Sequence, residues 1–118
     1  MHSTVKKIKK DVREKMLKNG EKEFIEFPDG KKFGTKSFHL KLNAEVRQRL
    51  SEHLISVGKV VRFQTNHKDK FIQDSGYIVK ARWKDIDKMI AVYDIVTKSG
   101  DQFRIITDPE RYPKDTIF

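Results

Sequence analysis

The chain lacks several features that would point to a particular compartment or chemistry. It contains no cysteine, so disulfides and thiolate-ligated zinc sites are excluded and the redox compartment is left open. No stretch approaches the roughly 18 consecutive apolar residues that a membrane-spanning helix needs, and the N-terminus has no signal-peptide apolar run. These absences predict a soluble protein, or a fragment of one, without a membrane span.

Nucleotide-binding and metal-binding motifs are absent as well. The sequence has no Walker loop, no Rossmann glycine fingerprint and no HExxH, and its four histidines are not at metal-ligand spacing. Asp85 and Asp87 are close together, but the lysines beside them are typical of a polar connector. No cofactor and no metal are therefore expected.

Acidic residues are too few to balance the basic ones. The 118 residues include 26 Lys and Arg against 17 Asp and Glu, which gives a formal charge of +9. Such an excess is typical of proteins that bind a polyanion or an acidic protein, and nucleic acid is the commonest partner of this kind. A solvated basic surface without such a partner is the alternative.

The last third of the chain contains the clearest local structure. Two runs rich in β-branched residues, Ile90 to Thr97 and Gln102 to Thr107, flank a short turn in which Gly100 can adopt a positive φ. This pattern predicts a β-hairpin. Alternation of side chains along its arms places Asp94 and Arg104 among aliphatic residues.

Two amphipathic helices are predicted in the first half. Residues 3–18 form a basic helix with a narrow apolar stripe, and Asn19-Gly20 ends it. A second helix is expected to begin after the N-cap Asn43 and to end at Gly58. The stripe of the first helix consists of Val5, Ile8, Val12 and Met16.

Extended segments are predicted on both sides of the second helix. Lys36 to Leu42 is expected to be a short strand with His39 on its polar side. Strands are also expected at residues 59–65 and 77–83, with a turn at 74–76 before the second of these. The C-terminal tail contains two prolines and is expected to be irregular.

This order of elements predicts an α+β fold in a single domain of residues 1–118. N-terminal helices, the first within residues 1–20, are expected to pack on one face of a twisted four- to five-stranded antiparallel sheet. Residues 36–108 are expected to supply the helix and the sheet of the core.

Basic and hydroxyl side chains are predicted to converge on one face of this sheet. Such a face suits RNA cleavage without a metal, which needs a base for the 2′-OH, an acid for the leaving 5′-oxygen and cations for the transition state. A histidine can transfer the protons, since its charge changes near neutral pH. The candidate catalytic residues are His53, Arg104, Thr107, Thr97 and His39, and the candidate RNA-binding residues are Arg62, Lys80, Arg82 and Tyr93.

Each of these residues also has an ordinary structural explanation. His53 is predicted at the border of an apolar helix stripe, where histidines are commonly half-buried. Threonine is frequent in strands, Tyr93 can belong to the core, and Arg104 can pair with Asp94.

The helix with a polar His53 near its end, the basic strand YIVKARW and the closing VYDIVTKSGDQFRIITD resemble the small ribonucleases that include barnase, EndoU, colicin-type tRNases and RelE. The resemblance covers roughly residues 36–108. The Glu and His pair of barnase-like members is not matched, because the late strands contain no Glu. The Lys, Arg, His and hydroxyl set is closer to the colicin-like and RelE-like members.

This resemblance implies a toxin that cleaves RNA to a 2′,3′-cyclic phosphate without a cofactor. It also implies an acidic immunity protein or antitoxin as partner and a cytoplasmic site of action, reached in related proteins as the C-terminal part of a secreted toxin. Two alternatives stay open. The chain can be a non-catalytic nucleic-acid-binding module that stacks Tyr77, Trp83 or Phe71 on bases, or a small phage or mobile-element protein that inhibits an acidic protein.

Overall fold

The computed structural model describes residues 3–118, so Met1 and His2 of the predicted N-terminal helical region lie outside it. The fold is α+β, as predicted, with helices in the N-terminal part followed by a five-stranded antiparallel sheet. Contacts group the chain into two compact units, a helical unit of Met1–Ser51 and a sheet unit of Glu52–Phe118. No helix within residues 3–118 is both long and apolar enough to cross a membrane.

The helical unit consists of two helices with a small hairpin between them. Helix α1 spans Ser3–Lys18 and α2 spans Lys36–Leu50, while strands β1 and β2 span Phe24–Glu26 and Lys32–Gly34. The predicted first helix and its apolar stripe are confirmed. The buried residues of the two helices are Val5, Ile8, Val12 and Met16 of α1 and Phe38, Leu42, Val46 and Leu50 of α2.

The predicted strand at Lys36 to Leu42 is wrong, because these residues form the first two turns of α2. The alternation of Phe38, Leu40 and Leu42 suggested a strand, but Phe38 and Leu42 also have the four-residue spacing of one face of a helix. In a helix Leu40 turns away from Phe38 and Leu42, and it is 60% exposed. The N-cap is accordingly Thr35 and not Asn43.

The predicted end of this helix at Gly58 is also wrong. Helix α2 ends at Leu50 and is followed by a short 3-10 turn, Ser51–His53. Val57, which the predicted helix would include, is 65% exposed. Gly58 instead has a φ of +91° and donates its N–H to the carbonyl oxygen of Ile78 at 2.7 Å, which leads the chain into the sheet.

The sheet unit contains strands β3 (Val60–His67), β4 (Lys70–Asp85), β5 (Ile90–Thr97), β6 (Gln102–Ile106) and β7 (Thr116–Ile117). All neighbours are antiparallel, in the order β6-β5-β4-β3-β7. The predicted C-terminal hairpin is confirmed as β5 and β6. The tail is less irregular than predicted, since β7 pairs with β3 as the fifth strand.

The turn predicted at residues 74–76 is wrong, because β4 continues through these residues without a break. Gly76 is needed there for close packing and not for a reversal. A Cβ at this position would lie 2.6 Å from both Ile95 Cγ2 and the carbonyl oxygen of Val96. The chain reverses earlier, at Lys68 and Asp69, whose φ angles are 50° and 63°.

The sheet curls so that its first and last long strands approach each other. Two irregularities in the β4–β5 register increase the bend of β4. On the inner side the rings of Phe63 in β3 and Phe103 in β6 lie 5.5 Å apart between centroids. The Asp115 carboxylate bridges the two strands, since it accepts hydrogen bonds from Thr65 Oγ1 at 2.6 Å and from the Ile106 N–H at 3.0 Å. We call the gap between β3 and β6 the seam.

Candidate nucleic-acid interface

The positive charge is distributed unevenly between the two units. Residues 1–51 hold 14 of the 26 basic residues and 7 of the 17 acidic ones, a net charge of +7. Residues 52–118 hold 12 basic and 10 acidic residues, a net charge of +2. Most of the charge excess therefore belongs to the helical unit, whereas most of the predicted site residues belong to the sheet unit.

Helix α1 exposes a basic face, defined here as Lys6, Lys7, Lys10 and Arg13. All four side chains are exposed and lie away from the buried stripe. Lys6, Lys10 and Arg13 follow one another at i, i+4 and i+7, so they form a row along the helix. Arg13 Nε is 3.2 Å from Glu23 Oε1, while the three lysines form no ion pair within residues 3–118.

In the sheet unit, two of the predicted site residues converge on one carboxylate. Arg104 Nε is 3.0 Å from Asp94 Oδ1, and Arg82 Nη1 is 3.7 Å from Asp94 Oδ2. The Asp94 side chain is 8% exposed and that of Arg104 is 59% exposed. Lys80 lies directly opposite Asp94 on β4 and Arg104 directly opposite it on β6, so these residues form one row across three strands.

Arg104 also lines a cleft of about 460 Å³ at the seam. The His67 ring lies in the same cleft and meets the Phe103 ring edge-on, with 5.4 Å between centroids. Sequence reasoning missed His67 because the strand predicted at residues 59–65 ends before it. The available signal was alternation along β3, which places His67 on the side of Phe63 and Thr65. The cleft is lined by Thr65, Asn66, His67, Asp94, Gln102, Phe103 and Arg104.

The backbone of β6 adds donors to this cleft. The Ile106 N–H points away from β5, toward Asp115. Because direction alternates along an antiparallel strand, the N–H groups of Gln102 and Arg104 point away from β5 as well, toward the seam. An imidazole, a guanidinium and backbone N–H groups thus face one space, a combination suited to an anion.

Three predicted hydroxyl groups are engaged inside the protein. Thr97 Oγ1 accepts a hydrogen bond from the Asp101 N–H at 3.1 Å within the β5–β6 turn. Thr107 Oγ1 accepts from the Ala91 N–H at 2.9 Å and donates to the Ala91 carbonyl at 3.2 Å. The hydroxyl of Tyr93, a buried residue, accepts from the Ile55 N–H at 3.0 Å. The structure therefore gives these side chains a role in holding the sheet unit together.

The other predicted residues lie outside the cleft at the seam. His53 is exposed in the 3-10 turn that follows α2. His39 belongs to the helical unit, where its ring packs beside Gly34 and edge-on to Phe38. Arg62 is exposed on β3 and lines a separate, smaller cleft.

Within residues 3–118, no group of three or more His, Asp and Glu side chains is placed to hold a metal ion. Compared with family models, curated proteins and solved structures, the chain shows no match. The likeness to small ribonucleases therefore rests on the sequence pattern alone.

Proposed function

We propose that this protein binds nucleic acid, specifically RNA, through the basic face of α1. The observation that supports the proposal is the concentration of charge: the helical unit has a net charge of +7, against +2 for the sheet unit. Phosphate contacts by Lys and Arg release counterions, which supplies most of the affinity of sequence-independent binding. A helix that presents unpaired lysines along one side provides such contacts.

The spacing of these lysines is compatible with a nucleic-acid backbone. Lys6 and Lys10 are one helical turn apart, about 6 Å along the axis. One strand of a duplex rises by about 3.4 Å per nucleotide, so phosphates two nucleotides apart are separated by a rise of about 7 Å. Neighbouring turns of α1 can therefore contact every second phosphate of one strand.

A charge-neutral double variant tests this proposal. We expect Lys6→Gln with Lys10→Gln to weaken binding to a fluorescent RNA oligonucleotide and to reduce the dependence of log affinity on log salt by about 1.4, since each contact to a single strand contributes about 0.7. Fluorescence anisotropy across a salt series measures both quantities.

Lys70→Gln with Lys98→Gln is the matched control, since both lysines are exposed in the sheet unit and the net charge falls equally. The control should leave the salt dependence unchanged. Equal effects of the two double variants would contradict a site on α1. A salt dependence that is flat for the unaltered protein would favour an acidic protein as partner.

RNA cleavage without a metal is a second candidate, favoured by the presence of His67 and Arg104 in one cleft. In this mechanism the His67 imidazole takes the proton of the 2′-OH as that oxygen attacks phosphorus, and returns it to the leaving 5′-oxygen. The product is a 2′,3′-cyclic phosphate. Arg104 and the N–H groups of β6 stabilise the negative charge of the transition state.

The second candidate is tested by incubating the protein with total RNA in EDTA. We expect His67→Ala to abolish cleavage and His53→Ala, at the histidine that the sequence favoured, to leave it intact. Loss of cleavage with His53→Ala but not with His67→Ala would show that the catalytic site lies at the turn after α2. Intact RNA with the unaltered protein, also after addition of cell extract, would exclude the enzymatic function.

A further inference from the structure

The β1–β2 hairpin holds apolar side chains on its outer face, defined here as Ile25, Phe27, Lys31 and Phe33. Ile25 and Phe33 are direct partners across the two strands. Phe27 and Lys31 follow on the same side, joined by a hydrogen bond from the Phe27 N–H to the Lys31 carbonyl at 2.9 Å. Ile25 and Phe33 are each 54% exposed and Phe27 is 48% exposed, so these residues are not part of a core.

The two phenylalanines fix each other's orientation. Their ring centroids are 5.2 Å apart and the ring planes are almost perpendicular, at 86°. Edge-to-face contact of this kind is favourable, because the positive edge of one ring meets the negative face of the other. The outer face therefore presents flat aromatic surface in a defined arrangement.

The hairpin is anchored to both helices of the helical unit. At its base, Glu23 pairs with Arg13 of α1 at 3.2 Å, and Glu21 pairs with Lys41 of α2 at 2.9 Å. On the face opposite to Phe33, Gly34 packs against the ring of His39 in α2. The outer face is thus held on a supported element and not on a free loop.

The basic face of α1 ends beside the base of this hairpin. Arg13 is the last member of the row that begins with Lys6 and Lys10, and it contacts Glu23 next to the start of β1. Lys31, on the outer face itself, is exposed at the far end of the hairpin. A strand of nucleic acid whose phosphates follow the basic face of α1 therefore reaches the base of the hairpin, and Lys31 offers a further phosphate contact beside the exposed rings.

We infer that the outer face of the hairpin stacks on the unpaired bases of single-stranded nucleic acid, an inference that rests on the proposed binding through α1. Aromatic rings next to cations are the combination that binds single strands, because every base has a flat π-surface and every nucleotide a phosphate. Lysine among the apolar residues is unfavourable for a protein partner, since lysine is depleted from the cores of protein interfaces. Bases in a duplex are already stacked, so a preference for single strands follows.

The test compares three fluorescent probes of one length: a single-stranded RNA, its duplex, and a single strand that contains abasic sites. We expect the unaltered protein to bind the single strand more tightly than the other two. Phe33→Leu keeps the apolar bulk but removes the ring, and it should weaken single-strand binding about tenfold. Binding to the duplex and to the abasic strand should not change.

Phe118→Leu is the control, since Phe118 is 67% exposed and lies in the sheet unit. It should leave all three affinities unchanged. Circular dichroism verifies that each variant is folded, and Phe27→Leu replaces Phe33→Leu if the latter is not.

The outcomes separate this inference from the proposed function. Equal binding of the three probes, with no effect of Phe33→Leu or Phe27→Leu, would overturn stacking by the hairpin and leave binding through α1 intact. Weaker binding of all three probes by the Lys6 and Lys10 variant would support the role of α1 alone. Absence of binding to every probe at low salt would overturn both.

Discussion

The two units use similar residue types in opposite ways. The helical unit, with a net charge of +7, exposes Phe27 and Phe33 together with unpaired lysines. The sheet unit, with a net charge of +2, buries Phe63 and places two arginines on one buried carboxylate, that of Asp94. These aromatic and basic residues thus stabilise the sheet unit, whereas the ones named in the helical unit are available for binding.

The largest effect that this comparison predicts is the loss of a buried ring from the sheet unit. Phe63 is 1% exposed in the core, so Phe63→Ala should lower the free energy of unfolding by about 3 to 5 kcal/mol. Urea denaturation followed by the fluorescence of Trp83, the single tryptophan of the chain and a residue of β4, measures this quantity.

The control for this prediction is Phe71→Ala in the same unit. Phe71 is 54% exposed, so its removal should change the free energy of unfolding by less than about 1 kcal/mol. Similar losses of unfolding free energy for Phe63→Ala and Phe71→Ala would mean that the exposed fraction of a phenylalanine does not determine its contribution to stability here.

An intermediate effect is expected at the carboxylate shared by two arginines. Asp94→Ala should lower the free energy of unfolding by about 2 kcal/mol, less than for a fully buried pair because both arginines are partly exposed. Arg104→Ala should cost only about 1 kcal/mol, since Asp94 keeps Arg82 as a partner. Urea denaturation measures both values. Equal losses of unfolding free energy for Asp94→Ala and Arg104→Ala would mean that Arg82 does not act as a second partner of Asp94.

The smallest effect is expected under the hairpin of the helical unit. Gly34→Ala would place a methyl group against the ring of His39, which must then shift, so we expect a loss of about 1 kcal/mol. Combining it with His39→Ala should remove most of this loss, as thermal unfolding followed by circular dichroism at helical wavelengths would show. If the losses of the two single variants simply add in the double variant, contact with His39 is not the cause of the loss in Gly34→Ala.

Elements with unambiguous local signals could be predicted from the sequence. Helix α1 has apolar residues at one periodicity only, and the β5–β6 hairpin combines β-branched runs with Gly100, whose φ is +90°. Helix α2 was mispredicted at its start because the residues around Phe38 satisfy both the helical and the strand periodicity. Only burial distinguishes the two, and burial depends on the packing of α2 against α1.

The candidate site could be predicted only where it follows from alternation along strands. Alternation correctly placed Arg82 and Arg104 on the same side as Asp94, where both contact it. Alternation does not predict which residues lie opposite each other on neighbouring strands, because that depends on the register of the sheet. Arg62, for example, lies outside the row of Lys80, Asp94 and Arg104. The hairpin face was missed because exposure of Phe33 depends on which apolar surfaces the fold leaves uncovered.

The bridge made by Asp115 explains why there is room for a cleft beside β6. Strands joined by backbone hydrogen bonds lie about 4.8 Å apart, which leaves no space between them for a ligand. Within the described chain β3 and β6 are not paired in this way, and a carboxylate from the tail spans the distance between them instead. Asp115 is therefore one of the contacts that hold the opening at its width, together with the rings of Phe63 and Phe103 and with β7 on the edge of β3.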